Sequence, residues 1–241
     1  MPPTPDQTAP ATKKSATSKT RIAVLISGGG SNMRALVAAS KTDNSATEVV
    51  TVIANRPDAP GLAWAEQNGI PTTCIDHTTY ASREAFDADI HSALVAKTPD
   101  LVACAGFMRR LTPELVQSWR GKMLNIHPSL LPLFKGLNTH QRALDAGVKV
   151  AGCSVHLVSE EVDGGQILGQ AAVPVMPDDT AEILAARVLR AEHKLYPKVL
   201  DLYAAGEITL ANDGTVSYGP AALDQFRLSN EFNELIVPAI D

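Results

Sequence analysis

The sequence predicts an α/β fold, with a Rossmann-like, mostly parallel twisted sheet, helices on both faces and an antiparallel addition in the C-terminal half. Two observations favour this class. Up to Pro132, strand-like apolar runs alternate with helical patterns, which is typical of parallel sheets built from right-handed crossovers. After Pro132 the pattern changes, and two strand-like runs are separated only by the letters SEEVDGG.

The first half contains five predicted strands and four helices between them. The strands lie at 21–32 (an apolar run into a glycine loop), 48–55, 71–76, 100–106 (nearly all apolar) and 122–126. The helices lie at 32–40, 60–69, 82–97 and 112–119. Ser82 and Thr112 are the expected N-caps, because a side-chain oxygen there accepts from a free backbone N–H of the first turn. Pro113 suits the first helical position.

The second half continues with other elements. We expect a helix at 138–147, strands at 150–158 and 165–175, a long helix at 179–205, and short strand-like pieces around EITL and TVSY. Residues 1–20 are rich in Pro, Thr, Ser and Lys, so we expect a disordered leader. Residues 21–218 should form one domain, and 219–241 an irregular tail.

Composition limits the classes of function. The 241 residues are 45% hydrophobic and 20% charged, and the net charge of −5 carries no basic footprint for nucleic acid. Neither a membrane span nor a secretory signal is predicted, so we expect a cytoplasmic protein. The three cysteines lie far apart and in strand-like runs, which favours small buried side chains over a metal site or disulfides: Cys74, Cys104 and Cys153.

The glycine loop SGGGSN is the first chemical signal. It follows a strand and opens a helix, so its amides and the helix N-terminus can bind one phosphate. It is a poor dinucleotide fingerprint, because Met33 holds the third glycine position and the second strand ends at Asn55 instead of an acid. The alternative is a tight turn that binds no ligand.

Asn125 and His127 are the second signal. They are two apart at the end of a strand, so both side chains face the same way. Open parallel sheets bind ligands beyond the carboxyl ends of their strands, and an amide with an imidazolium can hold a developing oxyanion. The alternative is a structural histidine at a strand end. No serine-hydrolase elbow and no histidine spacing typical of metal ligands is present in the sequence.

Three further polar positions carry a chemical interpretation beside a structural one. Ser154 and His156 alternate with apolar residues in CSVHLV, which also fits a solvent-facing polar edge. Asp163 precedes two glycines, which indicates a turn by default but also permits close approach of a ligand. Glu192 lies within an apolar helical stripe, where a carboxylate is costly unless it is paired, liganded or exposed near a helix end.

Together these segments resemble a known family. VLISGGGSN, AGFMRRL, LNIHPSLLP, GCSVHLV with EVDGGQIL, and RVLRAEHKLYP are similar to the folate-dependent phosphoribosylglycinamide formyltransferases of purine synthesis. The resemblance runs from about Arg21 to Gly206 and implies the formyltransferase fold. Its most specific part is the HPSLLP signature, followed at 163 − 127 = 36 residues by Asp163.

The resemblance implies roles for individual residues. Asn125, His127 and Asp163 match the catalytic triad. The loop that grips the substrate phosphate matches Gly30, Ser31 and Asn32. Glu192 matches a glutamate that contacts glycinamide ribonucleotide. The segment whose backbone holds the pterin of 10-formyltetrahydrofolate matches Met108, Arg109, Arg110 and Leu111. Glu161 and Val162 match the loop on the other side of that pocket. Arg83 matches a basic residue near the phosphate or folate side.

The implied reaction needs two small molecules and no metal. The primary amine of glycinamide ribonucleotide attacks the formyl carbon of the co-substrate, 10-formyltetrahydrofolate. Asn125 and protonated His127 stabilise the oxyanion, while Asp163 orients His127 and helps to move the proton to the departing folate nitrogen. The expected partners are these two ligands, with no nucleic acid or membrane, and the expected state is a monomer or homodimer.

Some departures and alternatives remain at this stage. LFKGLNTH differs from relatives after the LLP, and Arg110 replaces an apolar residue that is common in the pterin segment. A formyltetrahydrofolate hydrolase shares the chemistry but carries an extra N-terminal domain, and a methionyl-tRNA formyltransferase adds a basic C-terminal one. A non-catalytic binding protein on the same scaffold has no need of all three catalytic side chains.

Overall fold

The computed structural model describes residues 18–211, 213–227 and 235–237. The strands in these ranges are β1 Thr20–Ile26, β2 Thr47–Ala54, β3 Thr72–Cys74, β4 Leu101–Cys104, β5 Met123–His127, β6 Val150–Leu157, β7 Ile167–Pro174, β8 Ile208–Leu210, β9 Val216–Tyr218 and β10 Leu235–Val237. The helices are α1 Ser31–Ser40, α2 Pro60–Gln67, α3 Arg83–Lys97, α4 Pro113–Ser118, α5 Thr139–Asp145, α6 Ala181–Ala204 and α7 Pro220–Arg227.

One mixed sheet carries the fold. Its strand order is β10-β7-β6-β5-β4-β1-β2-β3, and β8 pairs with β9 in a separate two-stranded sheet. The strands from β5 to β3 pair in parallel, whereas β6 pairs antiparallel with both β5 and β7. The predicted fold class is confirmed, and the carboxyl ends of β1, β4 and β5 lie side by side.

Helices cover both faces of this sheet. One buried cluster joins the sheet to α1, α2, α5 and α6, and a second joins its other face to α3 and α4. The apolar stripe of α6 is buried as predicted, at Leu184, Val188, Leu195, Val199 and Leu202. Ser82 and Thr112 cap α3 and α4 by accepting from Ala85 N–H and Leu115 N–H. Among the described residues, no helix is long and apolar enough to cross a membrane.

The structure corrects three expectations. Helix α7 and strand β10 lie within 219–241, which we expected to be irregular. Thr20 already belongs to β1, and residues 1–17 of the expected leader lie outside the described residues. Cys74 is exposed because β3 is the edge strand of the sheet, whereas Cys104 and Cys153 are buried.

Candidate active site

The glycine loop connects β1 to α1 and lines the first cavity. Gly30 is the N-cap of α1 at φ 68°, and a Cβ there would lie 2.8 Å from the Met33 Cε. Both facts favour glycine, because other residues rarely adopt positive φ. The cavity measures about 430 Å³ and is lined by Ser27 to Asn32 together with Arg56, His77 and Arg109, among others. We call it the glycine-loop cavity; Gly30, Ser31 and Asn32 lie where the sequence predicted.

Glu192 of α6 contacts the glycine loop through Asn32, although it does not itself line either cavity. It is 6% exposed, and its Oε2 accepts a hydrogen bond of 2.6 Å from Asn32 Nδ2. The alternative that Glu192 is exposed near a helix end is therefore wrong. Burial raises the pKa of the Glu192 carboxyl, and the bond from Asn32 opposes that rise. The Oδ1 of Asn32 is buried and has no hydrogen-bond partner in the described part of the chain.

Asn125, His127 and Asp163 meet at the end of β5. Strand β5 brings the first two to its carboxyl end, and the loop between β6 and β7 brings Asp163. The Oδ2 of Asp163 lies 3.3 Å from His127 Nδ1 and accepts the Gly136 N–H at 2.9 Å. The side chains of His127 and Asp163 are only 7% and 10% exposed, so water screens their interaction weakly.

Both ring nitrogens of His127 face acceptors. Nε2 lies 3.1 Å from the backbone carbonyl of Phe134, so it carries a proton and donates there, while Nδ1 faces the Asp163 carboxylate. A ring protonated on both nitrogens satisfies both contacts. Phe134 has φ 55° and belongs to the segment after the LLP in which the sequence departs from relatives. To donate a hydrogen bond directly to an oxyanion, His127 must therefore give up its contact with either the Phe134 carbonyl or the Asp163 carboxylate.

His156 orients Asn125, a role that the sequence did not reveal. The two residues are opposite each other on β6 and β5. His156 Nδ1 donates to the Leu157 carbonyl at 2.9 Å, so in the neutral ring Nε2 accepts from Asn125 Nδ2 at 3.1 Å. Burial lowers the pKa of His156 and thereby favours this neutral form. The amide of Asn125 is thus held with its nitrogen in the site and a second N–H available to a ligand.

Ser154 supports the turn that follows His127. Its hydroxyl donates to the Ser129 carbonyl at 2.7 Å and accepts from Leu131 N–H at 3.0 Å and from Gln170 Nε2 at 2.9 Å. Ser154 and His156 are 0% and 2% exposed, so they do not form a solvent-facing polar edge. Both residues lie opposite residues at the end of β5, because β5 and β6 are neighbouring strands.

The loop after β6 holds Asp163 in an unusual conformation. Asp163 has φ 51°, and a Cβ on Gly165 would lie 1.8 Å from the Leu157 carbonyl oxygen. The glycine is therefore needed for the loop to return against β6. A salt bridge of 2.7 Å between Lys135 and Glu161 connects this loop to the segment after the LLP.

A second cavity, of about 640 Å³, lies beside these residues, and we call it the His127 cavity. Of the predicted site residues it is lined by Asn125, His127 and Asp163 and by Met108, Arg109, Arg110, Leu111, Glu161 and Val162. Gly106, Met108 and Arg109 line both cavities, so the two are adjacent. Arg83 is exposed at the first residue of α3 and lines neither cavity, so the structure does not bring it into the site.

Comparison with known proteins identifies the family. The formyl transferase model matches residues 20–200. The chain belongs to the formyl transferase family. It is 44% identical to the phosphoribosylglycinamide formyltransferase of Escherichia coli, over 78% of this chain and 89% of that protein. It is 50% identical to the trifunctional purine biosynthetic protein adenosine-3 of Bos taurus, but spans only 20% of that protein's length.

Solved structures of the family have the same fold. The phosphoribosylglycinamide formyltransferase of Anaplasma phagocytophilum superposes with a TM-score of 0.78 at 46% identity, covering 83% of this chain and 94% of that one. The Brucella melitensis enzyme of the same name gives 0.75 at 52% identity, covering 80% and 100%. The resemblance derived from the sequence motifs is confirmed.

Proposed function

We propose that this protein transfers the formyl group of 10-formyltetrahydrofolate to the primary amine of glycinamide ribonucleotide, in purine biosynthesis. The observation that carries the proposal is the position of Asn125, His127 and Asp163 beside two adjacent cavities. One cavity is lined by the glycine loop at the start of α1, and the other has apolar walls. The names of the relatives support the same activity.

The glycine-loop cavity suits the ribonucleotide. The N-terminus of α1 and the amides of Gly30, Ser31 and Asn32 favour the phosphate dianion. Glu192 accepts hydrogen bonds from the ribose hydroxyls, and its bond from Asn32 fixes the carboxylate. The amine then points across Gly106 and Met108 towards the second cavity.

The His127 cavity suits the folate. Its volume lies within the range of small-molecule sites, and Phe107, Leu111 and Val162 give it an apolar wall for a flat ring. The backbone of Met108 to Leu111 and the loop at Glu161 and Val162 supply polar groups for the ring edge. Arg110 lines this cavity with an exposed side chain, and the proposal assigns its contact to the backbone, as for the rest of the segment.

The chemistry follows from the electrostatics at the end of β5. As the amine attacks, negative charge develops on the formyl oxygen. The second N–H of Asn125 donates to that oxygen, and the positive charge of His127, held by Asp163, stabilises it. Asp163 accepts the amine proton, directly or through water, and the proton passes to the folate nitrogen as the C–N bond breaks.

Two ligand combinations test the activity. Formyl-folate consumption is measured with and without glycinamide ribonucleotide, and the formylated product is identified by mass. Consumption that requires the ribonucleotide supports the transferase. Consumption without it would identify a hydrolase, and binding without turnover would identify a non-catalytic protein.

A matched pair of variants tests the assignment of the site. Asn125→Ala is expected to lower kcat by about 10²- to 10³-fold, the usual effect of removing one oxyanion donor. Asn68→Ala removes an exposed amide that caps α2, far from both cavities, and should leave turnover unchanged. Equal turnover of both variants would refute the role of Asn125.

A further inference from the structure

The segment 106–112 connects β4 to α4 and forms a wall of both cavities. It contains no helix or strand, and Gly106, Met108 and Arg109 face the two cavities. Within the described part of the chain, the backbone N–H and C=O groups of 109–111 make no hydrogen bond to another backbone group. Peptide groups at a cavity wall need partners, so these are available to a ligand or to water.

Both ends of this segment are fixed by side chains from elsewhere in the fold. At the start, the Met108 N–H donates to the Ser27 hydroxyl at 2.7 Å. At the end, the Thr112 N–H donates to Asp87 Oδ2 at 2.6 Å. Asp87 belongs to α3 and Ser27 follows β1, so the segment is held between two rigid elements.

Burial of the Asp87 carboxylate beside the Thr112 N–H has a free-energy cost. Asp87 is 2% exposed, and its Oδ1 is buried without a partner in the described residues. Burial raises the pKa of the Asp87 carboxyl, although the bonds from Thr112 oppose the rise. A neutral acceptor would bind the same N–H without burying a charge. A charge-assisted bond is shorter and roughly twice as strong, so the carboxylate holds Thr112 more tightly than an amide would.

We infer that Asp87 is a positioning residue for the ligand of the His127 cavity. Its bond to Thr112 N–H fixes the end of the segment, and the free peptide groups of 109–111 are thereby held where they meet the polar edge of a bound heteroaromatic ring. The inference rests on the proposed function, which supplies a folate as that ligand. Asp87 itself lines neither cavity and therefore acts through the backbone.

A purely structural role makes a different prediction. The same bond ties α3 to the cap of α4, because the Thr112 hydroxyl also accepts from Leu115 N–H. If that were all, loss of the carboxylate would lower stability and leave the ligand constants alone. A rise in the KM for the formyl-folate without a rise in the KM for the ribonucleotide therefore distinguishes the positioning role from the structural one.

The test compares three variants by steady-state kinetics, thermal unfolding and amide hydrogen exchange. Asp87→Ala removes the bond and Asp87→Asn keeps a neutral acceptor. Asp201→Ala is the matched control, because Asp201 also accepts a backbone N–H, that of Ala46 at 2.7 Å, but lies away from both cavities. Exchange is measured for the Thr112 amide in the free proteins.

Asp87→Ala is expected to raise the KM for the formyl-folate by about ten- to a hundredfold, the scale of an ångström-sized misplacement. The KM for the ribonucleotide should stay within about twofold of wild type, and Thr112 exchange should accelerate. Asp87→Asn should raise the folate KM by about threefold, because a neutral bond is weaker. Asp201→Ala should lower Tm and change neither KM.

Several results would overturn the inference. An unchanged folate KM in Asp87→Ala, or an equal rise of both KM values, would leave Asp87 only a structural role. If Asp87→Ala does not fold, Asp87→Asn decides, and an unchanged folate KM in that variant is the contrary result. A wild-type protein without formyl transfer would overturn the proposed function as well, whereas active wild type with an unaffected variant overturns only the role of Asp87.

Discussion

Replacement of Asp163 by asparagine tests the electrostatic part of the mechanism. The variant keeps the shape and an acceptor for the Gly136 N–H, which Asp163 now binds at 2.9 Å, and removes the negative charge opposite His127. At 3.3 Å, the attraction between the two charges is about 1 kcal/mol in water and about 5 kcal/mol at an effective dielectric constant of about 20. The side chain of Asp163 is 10% exposed, which favours the upper part of this range.

These energies convert to a rate. With about 1.4 kcal/mol for each factor of ten, Asp163→Asn is expected to lower kcat by about 10²- to 10³-fold. The KM values should change less, because the charge of His127 matters most when the oxyanion has formed. The assay is initial-rate formyl transfer at saturating concentrations of both ligands, combined with thermal unfolding to verify the fold.

The control removes a comparable ion pair far from the site. Asp179 binds Arg187 at 2.6 Å and lines neither cavity, so Asp179→Asn should lower Tm and leave kcat unchanged. A folded Asp163→Asn variant with kcat within about threefold of wild type would refute the reasoning, because even the weakest estimate of the lost attraction gives about fivefold.

Three other predictions concern buried groups. Because the pKa of Glu192 is raised in the folded protein, its contribution to stability is fully present below the unfolded pKa of about 4.3 and is lost as the pH rises through the folded pKa. Glu192→Gln should therefore have a higher Tm than wild type at pH ~8. The same variant should have a higher KM for the ribonucleotide. A lower Tm at that pH would contradict this. His156→Ala should lower kcat by about 10- to 100-fold because Asn125 loses its acceptor, and unchanged kcat in a folded variant would exclude that role. Burial raises the pKa of Cys104 to about 12, so a thiol reagent at pH ~8 should label exposed Cys74 and spare Cys104 in the native protein, whereas labelling of Cys104 would indicate an open core.

The sequence predicted the elements well because local signals and tertiary packing agree in this chain. Ser82 and Thr112 act as N-caps at the expected positions, and the α6 stripe is buried. The errors lie where local pattern says little. Cys74 sits in the strand-like run PTTCID, yet β3 is an edge strand, and the position of a strand in a sheet is a property of topology. The short helix α7 begins at Pro220, a start signal of the same kind as Pro113, but Gly219 before it offers no capping side chain.

The sequence predicted the site only where its residues lie in recognisable motifs. The positions of Asn125 and His127 at a strand end followed from the sequence, but the partners of their polar atoms did not. The register of β5 against β6 places His156 opposite Asn125, so a residue that also fitted a solvent-facing polar edge is instead the group that orients the Asn125 amide. The Phe134 carbonyl at His127 Nε2 depends on a positive-φ residue outside any regular element, which periodicity cannot reveal.

The arrangement of buried polar groups explains why the antiparallel addition matters for the chemistry. In a wholly parallel sheet, the neighbour of β5 would present its own carboxyl end. Here β6 runs the other way, so its interior residues Ser154 and His156 lie beside the end of β5. Ser154 accepts from the Leu131 N–H in the turn after His127, and His156 accepts from the amide of Asn125. Without these contacts, the two donors would be buried without a partner. The reversal thus supplies support from a rigid strand, whereas the charge of Asp163 comes from the loop that follows. The two contributions meet where Asp163 Oδ1 lies 3.6 Å from His156 Nε2, so the effects of Asp163→Asn and His156→Ala are not independent.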